Sequence, residues 1–426
     1  MIDINLIRKN PEIVKENIKK KFQEAKLPLV DEVVLLDQQF RMSKTKGDDL
    51  RSKRNSLSKE IGNFKKQKDI EGAERLKQEV AAIADELLNL EQQENTLQEK
   101  IRDIMLIIPN IIDDTVPLGK DDSENVEVAR FGEAKKPDFD IPYHVDIMEA
   151  FNGVELDSAR KVSGNGFYYL KGDIARLHSA ILSYARDFMI DRGFTYYIPP
   201  FMIRAEVVTG VMSFTEMENM MYKIEGEDLY LIGTSEHSMI GKFIDTILTE
   251  EELPHTLTSY SPCFRKEVGA HGIEERGVYR IHQFEKQEMI VVCKPEESKM
   301  WFDKLYQNTV DFFCSLEIPV RTLECCSGDL ADLKVKSIDV EAWSPRQQKY
   351  FEVGSCSNLG EAQARRLQIR VNGAEGKYFA HTLNNTVVAP PRMLICFLEN
   401  HLDKDGNVNI PLALRPYMGG KTKLGK

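Results

Sequence analysis

Hydrophobic positions in the first quarter of the chain follow a three-four alternation in two separate runs. The first run covers residues 33–64, and the second, residues 76–104, has Glu94 as its one polar seam position. This spacing is the period of a coiled coil. The charged segment KKQKDIEG (65–72) between the runs has no apolar stripe, so we expect a projecting antiparallel helical hairpin rather than an ordinary pair of bundle helices. The first run is interrupted by three seam residues: Ser43, Gly47 and Arg54.

After Pro109 the pattern changes from helical spacing to shorter runs. Residues 111–150 are polar and rich in turn residues, which is typical of a linker. From about residue 151, helical stretches such as 173–192 alternate with strand-like runs, and several of these runs follow one another without an intervening helix. This order favours a largely antiparallel sheet flanked by helices. The strand-like runs are 228–232, 257–265, 278–293, 335–343 and 349–355.

The sequence therefore predicts an α+β protein in three parts. A helical hairpin domain occupies residues 1–110, a linker occupies 111–150, and an antiparallel-sheet domain occupies 151–426. The chain contains neither G-x-G-x-x-G nor G-x-x-x-x-G-K-[ST], the two glycine-rich fingerprints of nucleotide-binding parallel folds. A doubly wound parallel sheet is accordingly disfavoured.

Composition adds limits rather than a function. The 426 residues are 42% hydrophobic and 29% charged, with a formal net charge of -11, which argues against a general nucleic-acid binder. No apolar run is long enough to span a membrane and the N-terminus has no apolar signal core, so we expect a cytoplasmic protein without membrane attachment. Seven cysteines without C-x-x-C spacing predict free thiols instead of zinc ligands or disulfides.

The hairpin differs from the rest of the chain in charge. Residues 41–68 carry a net charge of +7 within an otherwise acidic protein. A basic helix face is often only a solvated surface. On a thin projecting element, such a surplus also suits a phosphate backbone, which would be met away from the acidic body. The candidate nucleic-acid contacts are Arg51, Lys53 and Arg54.

The stretch SPCFRKEVGAHGIEERGVYRIHQFEKQEM, residues 261–289, places charged side chains on two strand-like segments. If both segments are extended, Arg265 and Glu267 share one face, and Arg280, Phe284 and Glu288 share another. Two adjacent strands would then present these five side chains together, or else form a surface hairpin whose charges pair across the strands. The joining loop contains three glycines and suits a lid over a ligand: Gly269, Gly272 and Gly277.

Two later segments favour a phosphate-binding site. KYFEVGSCSN (349–358) places Glu352 on a strand that breaks near Ser355, and these oxygens suit magnesium beside phosphates. HTLNNTVVAPPRMLICFLEN (381–400) ends in an apolar helix that begins near two prolines, with Arg392 at its start. A cation there opposes the helix dipole, which costs roughly 0.3–1 kcal/mol, so its position calls for a bound anion.

These segments together resemble the class II aminoacyl-tRNA synthetases. FRKE with RIHQFEKQE resembles their motif 2, APPRMLICFLEN resembles motif 3, and RGFTYYIPPFMI resembles motif 1 with its dimer-interface proline. GTSEHS, SCSNLGEAQARRLQIR and LRPYMGG are similar to the seryl-tRNA synthetases in particular. The N-terminal MIDINLIRKNPEIV and the basic hairpin match that family too, so the resemblance covers nearly the whole chain, in order.

The resemblance implies a reaction and a set of site residues. Serine would be activated by ATP with Mg²⁺ to seryl-adenylate and then transferred to tRNA(Ser), with tRNA(Sec) as a further candidate, by a homodimer. Arg265, Glu267 and Arg392 would be the catalytic residues, and Glu352 with Ser355 would hold the metal. The ATP-binding residues would be Arg265, Lys266, Glu267, Arg280, Ile281, Phe284, Glu352, Val353, Gly354, Ser355 and Arg392. The serine-binding residues would be Thr234, Ser235, Glu236, Arg265, Glu288, Asn384 and Thr386.

The chain departs from the family pattern at three places. Ser235 stands where alanine is usual, Gly354 stands where serine is usual, and the common Asn-Gly-Ser-Gly run is here Asn384 to Val387. None of these changes removes a charged contact, but Thr386 adds a methyl group that would tighten the pocket.

Two other functions fit part of the pattern. A class II synthetase for threonine or proline would share motifs 2 and 3, but no His/Cys cluster suggests the zinc that threonine selection would use. A catalytically dead relative that only binds tRNA or a protein would not need the charged set that this chain retains.

Overall fold

The computed structural model describes residues 1–267 and 277–425. Gly269 and Gly272 of the predicted lid lie outside the described residues. Within the described ranges, the chain divides into two compact units, Ile2–Pro109 and Asn110–Lys426, the second of which also includes Met1. No helix in these ranges is both long enough and apolar enough to cross a membrane.

The first unit consists of four helices, and its two long ones form the predicted hairpin. Asp69 begins the second long helix by accepting a hydrogen bond from the Gly72 backbone N–H at 2.9 Å. The chain therefore reverses direction within residues 67–69, inside the predicted 65–72 segment. The helices are α1 (Ile4–Lys9), α2 (Pro11–Lys20), α3 (Leu27–Lys66) and α4 (Ile70–Ile107).

The predicted heptad seam is the buried face of the hairpin. Leu57 from α3 packs with Leu76, Ile83 and Leu87 from α4. The small and polar seam residues are also inside, since Ser43 is 6% exposed and a β-carbon built on Gly47 would lie 3.3 Å from Glu94 Oε1. One buried carboxylate was not foreseen: Asp37, 2% exposed, accepts hydrogen bonds from two arginines of the same unit.

The second unit is built on an eight-stranded sheet. The strands are β1 (Val126–Phe131), β4 (Thr195–Tyr197), β8 (His255–Phe264), β9 (Gln283–Cys293), β10 (Val320–Glu324), β11 (Lys336–Ser344), β12 (Lys349–Gly360) and β15 (His381–Val388). Their order in the sheet is β1-β10-β11-β12-β15-β9-β8-β4, and all neighbours are antiparallel except β4 and β8. The predicted α+β class with a mostly antiparallel sheet is therefore confirmed.

The two faces of strand β9 have different surroundings: one packs into the main core and the other faces the cavity. Its residues Met289 and Val291 pack into the main core with helices from one side. Ile290 and Val292, on the opposite face, belong to a second apolar cluster. Because side chains alternate along a strand, the even-numbered residues nearer the start of β9 continue this second face. That face is where the sheet leaves room for a ligand.

Helices cover both faces of the sheet, and the apolar helix predicted near the two prolines is present as α13 (Pro390–His401), with Ala389 as its N-cap. The segment 111–150 also contains β1, which pairs with β10 at the sheet edge, and a short helix. The other helices are α5 (His144–Ala150), α6 (Leu156–Ser163), α7 (Gly172–Ile190), α8 (Ala205–Val211), α9 (Phe214–Met220), α10 (Ser235–Gly241), α11 (Ser298–Ser315) and α12 (Ala362–Leu367). The short strands are β2 (Val154–Glu155), β3 (Tyr169–Leu170), β5 (Met202–Ile203), β6 (Tyr230–Leu231), β7 (Ile247–Thr249), β13 (Arg370–Gly373), β14 (Gly376–Phe379), β16 (Val408–Asn409) and β17 (Lys423–Leu424).

Candidate active site

A cavity of about 300 Å³ opens on this second face of the sheet and collects nearly all of the predicted site residues. The residues expected to bind ATP and those expected to bind serine lie far apart in the sequence, but they line the same cavity. The predicted residues that line it are Thr234, Glu236, Arg265, Glu267, Arg280, Ile281, Phe284, Glu288, Glu352, Val353, Gly354, Ser355, Asn384, Thr386 and Arg392.

Two predicted residues do not line the cavity. Ser235 is fully buried, and its hydroxyl accepts a hydrogen bond from the Ser259 hydroxyl at 2.6 Å. The Lys266 ammonium donates to the Glu218 carbonyl at 3.4 Å. The structure therefore brings neither side chain to the space where the other candidates meet.

Arg392, at the start of α13, already has a carboxylate partner. Its Nη1 lies 3.1 Å from Glu352 Oε2 and donates to the Glu352 carbonyl oxygen at 2.9 Å. Its guanidinium also lies 5.2 Å from the centre of the Tyr279 ring. Burial opposes ionisation of Glu352, but Arg392, with Lys334 and Arg265, outweighs it and holds the pKa of this carboxyl below its usual range. The anion expected near Arg392 is in part this side chain.

A register shift explains how Glu352 and Ser355 reach the same cavity. Residues three apart on a regular strand face opposite sides. Between Val340 and Glu341, however, the pairing of β11 with β12 shifts by one residue. Such a bulge turns the strand locally, so that both side chains line the cavity.

The donor set at this end fits Mg²⁺. A carboxylate from Glu352 and a hydroxyl from Ser355 are hard oxygen ligands, and Mg²⁺ is commonly held by one or two carboxylates plus substrate phosphates and waters. Lys334 lies at the same end, with its Nζ 3.4 Å from Ser355 Oγ. The site thus combines cationic side chains with oxygen ligands, which suits a polyphosphate and its metal.

The strand-parity argument for residues 261–289 holds only in part. Strand β8 ends at Phe264, and Glu267 has a positive φ of 47°, so the shared face predicted for Arg265 and Glu267 as strand neighbours is wrong. Arg280 also precedes β9, and its Nη1 lies 3.8 Å from Glu267 Oε2. The side chains meet in the cavity because irregular backbone, not an extended strand, directs them there.

Arg265 is held against the predicted aromatic residue. Its Nε donates to the Gly233 carbonyl at 3.1 Å, and its guanidinium lies 5.3 Å from the centre of the Phe284 ring. A cation over an aromatic face is attracted by the ring quadrupole. This contact places the arginine beside a flat apolar ring. A nucleotide base can stack on such a ring while the cation meets its phosphate.

The amino-acid end of the cavity is a buried polar cluster. Thr234 donates its hydroxyl to Glu288, which also forms an ion pair with Lys286. The Glu236 backbone N–H lies 3.3 Å from Glu288 Oε2. Burial, with Glu288 nearby, raises the pKa of Glu236 to about 7. Thr386 lies opposite Glu288 on the neighbouring strand β15.

Lys286, Lys334 and Tyr279 are among the cavity residues that escaped the sequence reasoning, although one of them had a signal. Lys286 lies between Phe284 and Glu288 on the same face of β9, so the parity used for those two predicts it as well. Lys334 and Tyr279 lie outside the strands and have no periodic signal. Only the folded chain brings these two to the cavity.

Arg51, Lys53 and Arg54, the nucleic-acid candidates, lie on α3 in the other unit. Arg51 forms ion pairs with Asp48 at 2.8 Å and Glu91 at 3.5 Å. Lys53 pairs with Glu79 at 2.8 Å. Among the residues that the structure describes, Arg54 has no carboxylate within ion-pair distance. Two of the three candidates are therefore already paired within the hairpin.

Residues 220–401 match the family model described as tRNA synthetase class II core domain (G, H, P, S and T). Together with the antiparallel sheet and the arginine-lined cavity, this match defines the second unit as the core of a class II aminoacyl-tRNA synthetase. Residues 1–112 match the seryl-tRNA synthetase N-terminal domain. The chain is also 40% identical to the serine–tRNA ligase of Methanoculleus marisnigri over 100% of both chains. It therefore belongs to the seryl-tRNA synthetase family, the serine–tRNA ligases.

Solved structures agree with this family. The seryl-tRNA synthetase of Pyrococcus horikoshii complexed with ATP is 38% identical, with a TM-score of 0.94 over 100% of this chain and 99% of that one. The cytoplasmic enzyme of Naegleria fowleri in complex with AMP is 33% identical, with a TM-score of 0.89 over 100% and 98%. Prolyl-tRNA synthetase of Giardia lamblia is 15% identical, with a TM-score of 0.55 over 64% of this chain and 55% of that one, and shares only the fold of that part.

Proposed function

We propose that this chain activates L-serine with ATP and transfers it to the 3′ end of tRNA(Ser). In the first step a serine carboxylate oxygen bonds to the ATP α-phosphorus, and the bond to the leaving pyrophosphate breaks. In the second step a ribose hydroxyl of the terminal adenosine bonds to the serine carbonyl carbon, and AMP leaves. The observation that carries the proposal is the cavity itself, which joins a cationic end to a small buried polar cluster.

The ATP roles follow from the cationic end. Arg265 and Arg392 neutralise phosphate charge, Glu267 meets the adenine amino group, and Phe284 stacks on the adenine. Preorganised charges of this kind stabilise a transition state in which phosphate charge redistributes. The other ATP contacts are Arg280, the backbone at Ile281, and the strand residues Val353 and Gly354. Bound at Glu352 and Ser355, Mg²⁺ would supply further neutralisation of the phosphates.

The serine roles follow from the buried polar cluster. Glu236 and Thr234 face the amino group, while Glu288 and Thr386 face the hydroxyl, with Asn384 beside them. A site that offers buried polar groups to a substrate hydroxyl discriminates strongly against an analogue that lacks it. This small, polar end suits serine better than the larger apolar side chain of proline.

The first unit is proposed to bind the tRNA. Its basic segment, residues 41–68, offers positive charge to a phosphate backbone. The proposed domains are a tRNA-binding arm (1–110), a connecting segment (111–150) and a catalytic domain (151–426). The active form is proposed to be a homodimer, because the motif 1 resemblance includes the dimer-interface proline. Its proposed location is the cytoplasm. tRNA(Sec) is a further candidate substrate.

ATP–pyrophosphate exchange with each amino acid in turn tests the function. We expect exchange that depends on serine and on Mg²⁺, and charging of tRNA(Ser) with the same preparation. Exchange with threonine or proline instead would overturn the proposed substrate. A chain that binds tRNA without supporting exchange with any amino acid would be a non-catalytic binder.

A further inference from the structure

Gln363 lies on α12, behind the amino-acid end of the cavity rather than in its lining. It is fully buried, and its side chain makes three hydrogen bonds. Its Nε2 donates to Glu236 Oε1 at 2.8 Å and to the Val211 carbonyl at 3.2 Å, and its Oε1 accepts from the Thr382 hydroxyl at 2.6 Å. Both ends of the amide are therefore bonded to defined partners.

The partners fix which way the amide of Gln363 points. A backbone carbonyl can only accept a hydrogen bond, so the Val211 carbonyl requires the nitrogen on its side. The Thr382 hydroxyl can rotate to donate to the oxygen on the other side. The nitrogen is consequently held toward Glu236. A buried network in which every member is satisfied is rigid and specifies one arrangement.

Glu236 needs such a partner because its surroundings oppose its charge. Burial and the neighbouring Glu288 favour the protonated carboxyl, whereas the Gln363 amide, Lys286 and Lys334 favour the carboxylate. The adjacent His237 is buried and adds no charge near neutral pH, since burial lowers its pKa to about 3. The hydrogen bond from Gln363 therefore favours the ionised form of the carboxyl that lines the cavity.

We propose that Gln363 is a positioning residue for serine activation, holding the Glu236 carboxylate ionised and aimed at the substrate amino group. The inference rests on the proposed role of Glu236. Gln363 itself does not contact the substrate. It acts through the Glu236 carboxylate, which does contact it.

The test compares Gln363→Met, which keeps the length of the side chain without its donor, with Thr382→Val, which removes only the bond to Gln363 Oε1. A hydrogen bond to a charged group contributes about 1.5–3 kcal/mol, so Gln363→Met should raise the KM for serine by roughly 10-fold or more. The KM for ATP should stay within about 2-fold. The acid limb of kcat/KM for serine should move to higher pH, because the carboxylate loses its donor. Thr382→Val should leave that limb in place.

Gln363→Glu is a second variant that decides the question if Gln363→Met does not fold. Two carboxyls at this distance share one proton, so this variant should lose serine affinity as pH rises, a limb that the parent lacks. Serine KM and the acid limb at parent values in Gln363→Met, or no loss of serine affinity with rising pH in Gln363→Glu, would overturn the role of Gln363. Equal rises in the KM for serine and ATP would also overturn it. Absence of serine-dependent exchange in the parent chain would instead overturn the proposed function.

Discussion

Gly354 and Thr386 face one another across the neighbouring strands β12 and β15 at the cavity. A β-carbon built on Gly354 would lie 3.2 Å from the β-carbon of Thr386, tighter than most real contacts between such atoms. These are two of the positions at which the chain departs from the family pattern, which has serine at both. Glycine at 354 thus leaves room for the β-carbon of residue 386, and a side chain at 354 would press against Thr386.

Gly354→Ser should therefore impair serine activation, because the added side chain displaces Thr386 from the serine hydroxyl. Thr386→Ser keeps the β-carbon that faces position 354, so it should have a small effect alone and should not relieve the loss in Gly354→Ser. The value of kcat/KM for serine in both single variants and in the double variant measures this, and recovery in the double variant would show that the threonine methyl, rather than the β-carbon, limits position 354.

The sequence predicted those parts of the fold in which one periodicity persists. The α3–α4 hairpin follows from its heptads, and the start of α13 follows from its two prolines. Parity along β9 placed Phe284 and Glu288 correctly because the strand is regular there. The same argument failed at Glu267, since no local pattern announces that β8 ends at Phe264.

The remaining parts of the site depend on contacts between distant segments. Ser355 reaches the cavity through a register shift between β11 and β12, which the sequence of either strand alone does not show. Lys334 is placed by a connection between strands, and the pairing of Arg392 with Glu352 joins segments 40 residues apart. Ser235 illustrates the opposite case, because its motif neighbours line the cavity while its own hydroxyl turns toward β8.

Arg392→Ala and Arg265→Ala should each abolish most adenylate formation. Both cations are argued to neutralise phosphate charge, and loss of one preorganised donor costs on the order of 10²-fold or more in kcat. Arg392→Ala also leaves Glu352 without its partner, so Arg392→Lys, which keeps a charge but not two parallel donors, is the matched control and should lose less. Exchange rates at saturating ATP and serine give the measurement. Near-normal exchange in Arg265→Ala would refute the assignment of the phosphate end.

Glu288→Gln should reduce discrimination between serine and alanine. The buried carboxylate binds the Thr234 hydroxyl and Lys286, and it is the proposed acceptor for the serine hydroxyl. A site of this kind rejects the analogue without the hydroxyl by on the order of 10⁴-fold. The ratio of kcat/KM for the two amino acids should fall in Glu288→Gln and fall further in Glu288→Ala, which also removes the side-chain oxygen that accepts from Thr234. A ratio that stays at the parent value in both variants would place the selectivity elsewhere.

Asp37→Asn should destabilise the first unit in a pH-dependent manner. Burial opposes the charge of Asp37, but hydrogen bonds from Arg8, at 2.7 and 2.9 Å, and the charge of Arg41 outweigh it and lower its pKa below the usual range. A carboxyl with a lowered folded-state pKa stabilises the fold above its unfolded-state pKa, and this contribution disappears as pH falls through the folded-state value. The parent should therefore be more stable than Asp37→Asn by about 1–3 kcal/mol near pH 7, with the difference shrinking below about pH 4. Hydrogen exchange of α1 to α3 across this range measures it, and a difference that does not change with pH would contradict the charge-based explanation.

Replacing residues 35–103 with a short linker should separate the two steps of the reaction. All residues assigned to activation lie in the second unit, which has its own core, so ATP–pyrophosphate exchange should survive while tRNA charging fails. Equal losses of both activities would instead indicate that the hairpin serves stability or dimerisation.

The ion pairs within the hairpin determine which charge reversals test tRNA binding cleanly. Reversing Arg51 or Lys53 breaks their pairs with Glu91 and Glu79, so a loss of charging there has two causes. Within the residues described, Lys59, Lys65 and Lys66 are exposed and have no ion-pair partner, so their reversal to Glu removes charge without breaking a pair. Removing one phosphate-binding cation reduces the steepness of log K against log salt by about 0.7–0.9. The triple reversal should therefore weaken tRNA binding and flatten its salt dependence, while exchange stays at the parent rate. Reversal of the exposed Lys100 and Arg102, outside the basic segment, is the control for net charge, and a flattening as large per reversed residue in that control would refute recognition by residues 41–68.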